Sequence, residues 1–344
     1  MADKPGRTGL TPAGDVIRGM PLYQEIKVPS PVQQRLIDAA TAIRDQPDAV
    51  ERAFMARQLI ICTLPHTDPG DIELWSRRSW NAVLGIQPGF DLETGRKIGF
   101  PYGTIPRLLL YWITTEVQHR KNRTDLTIDE KRTLQLGRRL ADFMRTVGLS
   151  PETGRGKRGD AKRLHDQMER LFRARISFQS SGDGPGRDGT CRRRWLDMEV
   201  APLGELWWNP KRPDQGTLWQ SWIQLGEQFY DALAVSSAPV DMRALKALRR
   251  SPLALDLYAW VCYSIYTIVQ NRLPPQFVAW SVLARQLGAD YGTVNDFQKK
   301  AAPILRKIRL LYPGLTVGKR KGGFTIHADR LAVPPDSRKL IADG

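Results

Sequence analysis

Eight basic side chains and no acidic one lie between Phe297 and Ala328. A helix surface that is merely solvated normally mixes both signs of charge at i,i+4 spacing. Charge of one sign instead indicates an anionic partner. The eight side chains are Lys299, Lys300, Arg306, Lys307, Arg309, Lys319, Arg320 and Lys321. The chemistry that they predict is non-covalent binding of an anionic partner.

Residues that could break a covalent bond in DNA are not grouped in this sequence. A rolling-circle nicking enzyme needs a tyrosine nucleophile beside paired metal-binding histidines. The histidines here are isolated from one another, at His66, His119, His165 and His327. A P-loop requires Gly-x4-Gly-Lys-Ser/Thr, and the segment Gly314 to Arg320 is one residue short and ends in arginine. We therefore expect no catalytic residues, no enzyme activity and no cofactor.

A metal site is also not expected. The segment Leu64 to Glu73 combines a histidine with three acidic residues, but a Pro-Gly turn followed by an acidic helix start produces the same spacing and is the preferred interpretation. The cysteines, Cys62, Cys191 and Cys262, are odd in number and far apart. This spacing argues against a zinc site and against a disulfide framework.

Length and composition favour two globular domains and a polyanionic partner. The 344 residues, 41% of them hydrophobic, suffice for two domains with their own cores. The formal net charge of +16 favours nucleic acid or an anionic membrane surface. We expect no membrane partner, because no apolar run approaches the ~20 residues of a spanning helix. Residues 1 to 28 lack the apolar core of a secretory signal, so we expect a cytoplasmic protein.

The segment Phe277 to His327 has the order of parts of a winged helix. Residues 277 to 280 predict a short strand, residues 281 to 288 a helix closed by Gly288, and residues 289 to 293 a tight turn. A long helix follows, and residues 315 to 327 predict a hairpin with a basic tip. The basic side chains are therefore expected on the long helix and on the hairpin.

The long helix has one apolar face and one polar face. Its apolar residues recur at three- and four-residue steps and should be buried: Phe297, Ala301, Ile304, Leu305, Ile308 and Leu311. Thr293 is expected to cap the helix, with Asp296 completing a capping-box-like pair. Pro303 removes a hydrogen bond, so it should bend the axis near Lys299 or end the helix there.

Residues 134 to 200 repeat this pattern with little sequence identity. A short strand and a helix closed by Gly148 precede a basic, glycine-rich turn. A helix capped by Asp160 should expose Lys162, Arg170 and Arg173 and bury the apolar side chains of Leu164, Met168, Leu171 and Phe172. A strand at residues 176 to 178 and a returning strand at residues 195 to 200 complete a second predicted helix-turn-helix with a wing.

Other helices are predicted at residues 32 to 44, 50 to 61, 229 to 235, 242 to 248 and 253 to 269. A further core helix should begin with Thr104 as N-cap and Pro106 in its first turn. Residues 85 to 99 predict a turn-rich connection with a small hairpin. The tryptophans at 207, 208, 219 and 222 are expected to pack rather than to stack on bases.

The predicted fold class is α+β and mostly helical, with two winged-helix domains in tandem. Residues 1–30 form a flexible arm, residues 31–235 the first domain with its N-terminal helices, residues 236–332 the second domain, and residues 333–344 a tail. Two recognition helices are expected to enter major grooves while the hairpins lie on the flanking backbone. One monomer would then span about two successive turns of one duplex.

Two segments carry a resemblance to a known family. Phe100 to Glu116 reads FPYGTIPRLLLYWITTE and Ser251 to Trp260 reads SPLALDLYAW. With Phe277 to His327, they resemble the plasmid-encoded RepA replication initiators over most of residues 50 to 330. The resemblance implies binding to repeated double-stranded sites in a plasmid origin, opening of nearby duplex, and recruitment of the host replication initiator and helicase. It also implies a homodimer that represses the protein's own gene.

Candidate DNA-binding residues follow from side-chain type. Amide, hydroxyl and basic groups near the start of the long helix suit base edges, namely Thr293, Asn295, Gln298 and Lys299. Basic groups elsewhere suit phosphates, namely Arg155, Lys157, Arg158, Lys162, Arg163, Arg192, Arg193, Arg194, Lys300, Arg306, Lys319, Arg320 and Lys321. A winged-helix transcriptional repressor without an initiation role would use the same contacts, so this alternative stays open.

Overall fold

The computed structural model describes residues 29–334, except residues 80–81, 138, 152–158, 182–192, 208–220 and 288–290. Its helices are α1 (Pro31–Asp45), α2 (Arg57–Ile61), α3 (Thr104–Arg120), α4 (Ile128–Arg132), α5 (Leu140–Thr146), α6 (Asp160–Phe172), α7 (Glu227–Val235), α8 (Met242–Leu248), α9 (Pro252–Gln270), α10 (Trp280–Leu287) and α11 (Val294–Leu311). The predicted mixture of helices and strands is confirmed.

The strands form small antiparallel sheets. They are β1 (Arg52–Ala56), β2 (Trp75–Ser79), β3 (Ala82–Gln87), β4 (Thr133–Gln135), β5 (Arg175–Ser181), β6 (Arg193–Glu199), β7 (Leu203–Glu205), β8 (Trp222–Gln224), β9 (Ser237–Asp241), β10 (Gln276–Ala279), β11 (Leu315–Arg320) and β12 (Gly323–Ala328). Their orders are β2-β3-β5-β6, β4-β8-β7, β10-β12-β11 and the pair β1-β9.

Helices α3 and α9 lie at the centre of one continuous apolar core. Helix α3 is apolar around most of its circumference and is buried from Ile105 to Thr114. Helix α9 begins as its sequence predicts, because the Ser251 hydroxyl accepts a hydrogen bond from the Ala254 N–H and Pro252 occupies the first turn. The two sequence segments that carry the family resemblance therefore form adjacent central helices.

A buried ionic cluster joins these two helices. The Arg107 guanidinium of α3 donates two hydrogen bonds to the Asp256 carboxylate of α9, at 2.7 and 2.8 Å. Its other three N–H groups reach the carbonyl oxygens of Leu64, Pro65 and Gly103, at 2.7, 3.0 and 2.6 Å. All five guanidinium donors are thus satisfied although the side chain is only 2% exposed. Such a bidentate, fully bonded arginine fixes the relative position of two helices.

His66 completes this cluster. Its Nε2 lies 2.9 Å from the second Asp256 carboxylate oxygen, and both side chains are buried. Burial alone would raise the pKa of Asp256, but the charge of Arg107 and the hydrogen bonds from His66 and Arg107 outweigh it and lower that pKa to about 2. Burial lowers the pKa of His66. His66 is therefore a neutral donor to the carboxylate at neutral pH.

Strands β1 and β9 link the predicted first and second domains. They pair antiparallel with Arg52 opposite Asp241 and Ala56 opposite Ser237. The prediction of one helix over residues 50–61 is wrong at its start, because residues 52–56 pair as β1 and only Arg57–Ile61 are helical. A distant strand supplies the hydrogen bonds that a local helix would otherwise have provided.

Three other local predictions need correction. Thr104 is the first residue of α3, whose N-cap is Gly103 at a φ of 79°. Asp160 likewise is the first residue of α6, and Gly159 is the N-cap. Neither glycine offers a side chain to the helix N–H groups. No helix begins at Asp71, because the turn there leads directly into strand β2.

Helix α9 is, within the described residues, the one helix long and apolar enough to cross a membrane by length and composition alone. The helix has 19 residues, which contradicts the expectation that no apolar run approaches the length of a membrane-spanning helix. The structure explains its composition, because 61% of the apolar window is buried inside the protein. The helix is apolar because neighbouring elements pack around it.

Candidate nucleic-acid interface

Helix α11 begins with the predicted cap. The Thr293 hydroxyl accepts from the Asp296 N–H at 3.1 Å and donates to the Asp296 carboxylate at 2.8 Å. Both hydrogen-bonding functions of the hydroxyl are therefore engaged at the helix terminus. The helix continues through Pro303 to Leu311, so the proline does not end it.

The predicted apolar face of α11 is buried, with one exception among its residues, and the basic residues of the helix are exposed, as predicted. Phe297, Ala301, Leu305, Ile308 and Leu311 are buried, whereas Ile304 is only partly buried. The exposed residues include Asn295, Lys299, Lys300, Arg306, Lys307 and Arg309. Gln298 is partly buried beside them. The Lys299 amino group lies 3.7 Å from the Asp296 carboxylate, and its side chain is 78% exposed.

The hairpin formed by β11 and β12 presents three consecutive basic residues at its tip. Lys319, Arg320 and Lys321 are exposed, and Gly322 closes the turn at a φ of 74°. Gly323 has no room for a side chain, because a Cβ there would overlap the Val278 carbonyl oxygen and approach the Phe277 ring at 2.8 Å. This close approach lets β12 pair with β10 and holds the tip in place.

Aromatic packing fixes the helix against the hairpin. Trp280, at the start of α10, contacts Phe324 of β12 with ring centroids 4.8 Å apart. It also contacts Phe297 of α11 at 6.3 Å. Tyr291 adds an edge contact to Phe297 at 5.6 Å. Because one buried ring touches both elements, the exposed face of α11 and the hairpin tip have a defined separation.

A groove of about 250 Å³ lies between α11 and the hairpin. Its polar lining comes from Gln298, Arg306, Arg309, Lys319 and Arg320. Its floor is apolar and includes Trp280, Leu305 and Phe324. Four of these side chains are basic and none of the lining residues is acidic. The structure thus brings together four of the candidate residues and adds Arg309, a member of the basic set that the sequence did not single out for DNA contact.

The two predicted winged helices are called the first module (residues 134 to 200) and the second module (residues 277 to 327), and α6 of the first module corresponds to α11 of the second. Helix α6 buries Leu164, Met168, Leu171 and Phe172 as predicted, and it exposes Lys162 and Arg163. Arg170 is less exposed than predicted, because it bonds Asp68 at 3.0 Å and the Phe100 carbonyl at 3.2 Å. Arg193 and Arg194 lie exposed on strand β6.

Strand pairing distinguishes the two modules. In the second module, β10 pairs with the hairpin strand β12. In the first module, the hairpin strand β5 pairs with β3, and the short strand β4 pairs with β8 instead. The order of helices and hairpin recurs, but the sheet around it differs. The similarity predicted from the sequence therefore extends to element order and not to strand pairing.

Several predicted positions lie outside the described residues, namely Arg155, Lys157, Arg158 and Arg192, together with Trp208, Trp219 and Gly288. Of the other tryptophans, Trp222 is partly buried, whereas Trp207 is 49% exposed, so the packing expected for it is incomplete. Within the described part of the chain, no group of three His, Cys, Asp or Glu residues is arranged to hold a metal ion.

The buried cluster of Arg107, Asp256 and His66 was not predicted from the sequence. Asp256 lies 149 positions from Arg107 and 190 positions from His66 along the chain.

A comparison with protein families decides the family. The model described as "Plasmid encoded RepA protein" matches residues 100–281, just over half of the chain. The chain belongs to the plasmid-encoded RepA family. The RepA match begins before α3 and ends in α10, so it contains Arg107, Asp256 and the whole of the first module. Helix α11 and its hairpin follow the matched region.

Comparison with solved structures finds domains 2 and 3 of RctB. One crystal structure, of selenomethionine derivatives, has 12% sequence identity and a TM-score of 0.45, and the match covers 86% of this chain and 99% of that one. A second, of RctB domains 2-3, has 12% identity and a TM-score of 0.39, covering 78% and 94%. No curated protein matches the sequence.

Proposed function

We propose that this RepA-family protein is a plasmid replication initiator that binds repeated double-stranded sites at an origin. It helps to open the adjacent duplex and recruits the host replication initiator and helicase. The observation that carries the proposal is the groove between α11 and its hairpin, which four basic side chains line without an acidic one. Membership of the RepA family supports a role in replication, and the groove supports DNA as the ligand.

In this proposal each module acts as a winged helix. Helix α11 enters a major groove and the tip at Lys319 to Lys321 lies on the flanking backbone. The arrangement β10-α10-α11-β11-β12, with β10 paired to β12, supports this assignment. Helix α6 does the same in the first module, with the β5–β6 hairpin as its wing. The two modules contact about two successive turns of one duplex.

Specificity and affinity come from different side chains. Asn295, Gln298 and Lys299 lie in the first turns of α11 and suit adenine and guanine edges. Thr293 belongs to the same set, although its hydroxyl would have to give up its hydrogen bond from the Asp296 N–H in order to contact a base. Arg306, Lys319 and Arg320 hold phosphates, which position the protein without specifying a sequence.

The proposal includes no covalent chemistry, no cofactor and no membrane. The protein remains in the cytoplasm and opens DNA through binding energy. Incubation of supercoiled origin plasmid with the protein should leave its topology unchanged after the protein is removed. Accumulation of nicked circles that depends on the protein would contradict this part of the proposal.

A replication assay separates initiation from repression. The gene, cloned with its adjacent repeats, should sustain a plasmid that otherwise cannot replicate. A protein that only represses its own promoter, the alternative function, would fail this assay while still protecting the repeats in a footprint. Autorepression by a homodimer is expected alongside initiation, and a reporter fused to the gene's own promoter measures it.

A further inference from the structure

Residues outside the first module lie against the turn that precedes its helix α6. Arg249 follows α8, and its Nη1 donates to the carbonyl oxygen of Gly148 at 2.6 Å. Gly148 lies between α5 and α6 and has a φ of 80°. This bond connects the turn between α8 and α9 to the turn of the predicted helix-turn-helix.

Two further arginines lie close to Arg249. Burial lowers the pKa of Arg249, and the charges of Arg35 and Arg250 lower it further, whereas Asp160 raises it. Charges perturb one another in this way only when they are close. Arg35 comes from α1, Arg250 follows Arg249, and Asp160 is the first residue of α6. Helix α1 packs against α8, and Arg243 of α8 donates to the carbonyl oxygens of Ala42 and Gln46 at the end of α1. This packing brings Arg35 into the neighbourhood of Arg249 and Arg250, near the N-terminus of α6.

The described residues supply little counter-charge to this arginine cluster of Arg35, Arg249 and Arg250. Within them, no carboxylate forms an ion pair with any of the three guanidinium groups. Arg35 donates to the Pro31 carbonyl at 3.1 Å, and Arg249 donates to Gly148. The Asp160 carboxylate itself lies 3.2 Å from Arg163. Like charges gathered without a partner repel each other, and an anion that binds among them relieves the repulsion.

We propose that the arginine cluster holds the backbone phosphates of duplex DNA at the N-terminus of α6. The inference rests on the proposed function, because it assigns further residues to the DNA interface. Arg249 uses one N–H on Gly148, which orients the planar guanidinium and leaves other donors for phosphate oxygens. Helix α1 and the turn after α8 thus add residues to the DNA-binding surface of the first module.

Helix α1 connects the arginine cluster to the second predicted winged helix. This helix buries only Ile43 fully, yet it packs against both α8 and α11. It therefore contributes Arg35 to the cluster and also contacts α11, the proposed recognition helix of the second module. A DNA contact from Arg35 would make α1 a part of the interface as well as a support for α11.

Exposed arginines allow a test that preserves the fold. Arg35→Gln with Arg250→Gln removes two exposed charges that bond no other side chain among the described residues. The matched control is Arg44→Gln with Arg96→Gln. Arg44 lies nine residues after Arg35 and therefore on the opposite face of α1. Arg96 lies in the exposed turn between β3 and α3.

The measurement is the salt dependence of binding to a mixed-sequence duplex of about 40 base pairs. The logarithm of the binding constant falls linearly with the logarithm of the salt concentration, and each phosphate contact adds about 0.9 to the steepness of this slope. The cluster variant should lower the slope by up to about two units, and the control should leave it unchanged. A cluster variant whose slope equals that of the wild-type protein overturns this inference and leaves the proposed function intact. Absence of salt-dependent binding by the wild-type protein would overturn both.

Discussion

Asn295 is the exposed amide on α11 that lies nearest to the helix start. An amide that donates and accepts can form paired hydrogen bonds to an adenine edge, whereas a methyl group cannot. Asn295→Ala should cost about 1 to 3 kcal/mol on the cognate site and relax its sequence preference. Competition binding with cognate and random duplexes measures both. Equal loss on the two DNAs would show that Asn295 does not read sequence.

His66 gives the fold a pH dependence of defined sign. Its pKa in the folded state is lowered by burial from the ordinary value of 6.5, so below pH 6.5 the unfolded chain binds the proton more readily. Stability should therefore fall as pH decreases from 6.5 towards 5, by at most about 1.4 kcal/mol per pH unit for this one group. Asp256 does not contribute in this window, because its pKa of about 2 keeps it charged.

The variant His66→Gln isolates this effect, since glutamine retains a donor for Asp256 but does not titrate. Urea unfolding at several pH values should show that the wild-type protein loses more stability than the variant between pH 6.5 and 5. Parallel pH profiles for the two proteins would mean that His66 accepts a proton within the fold.

At the scale of elements, the hairpin depends on the close packing of β12 against β10. Gly323→Ala places a methyl group against the Val278 carbonyl and the Phe277 ring. Overpacking of this kind typically costs about 1 to 3 kcal/mol. Gly292→Ala is the control, because a Cβ there meets nothing within 4 Å. Thermal unfolding should separate the two variants, and equal stability would show that the strands adjust without cost.

The basic tip of the same hairpin should contribute to DNA affinity without contributing to specificity. Replacing Lys319, Arg320 and Lys321 with glutamine removes three exposed charges. The slope of log K against log salt should fall by up to about three units if each residue neutralises one phosphate. Cognate and random DNA should be affected alike. An unchanged slope would remove the hairpin from the interface.

Local sequence chemistry predicted elements that depend on local contacts. The spacing of Phe297, Ala301 and Leu305 and the cap at Thr293 were sufficient for α11, since helix periodicity and capping act within a few residues. The bounds of α8 agree with the prediction for the same reason. Strand β1 could not be predicted this way, because its partner β9 lies far along the chain. The prediction of a longer helix there was wrong because tertiary pairing prevailed.

At the scale of the whole molecule, the two predicted domains share one apolar core and the buried Arg107–Asp256 pair. No sequence pattern predicts this pair, because Arg107 and Asp256 lie 149 positions apart and each resembles an ordinary charged residue of a helix. The domain boundary at residues 235 and 236 stays a prediction. The shared core implies that the two modules have a fixed relative position, which the proposed binding to successive turns of DNA requires.

A hydroxyl-radical footprint of the full chain on DNA flanking its gene tests the central claim most directly, namely that both modules bind one duplex without cutting it. We expect each repeat to be protected on one face over two successive turns, with protected stretches about 10 base pairs apart. Neutralising Arg306, Lys319 and Arg320 should remove one of the two stretches and leave the other. Protection of a single turn by the wild-type protein, or loss of both stretches in the variant, would contradict binding by two modules side by side.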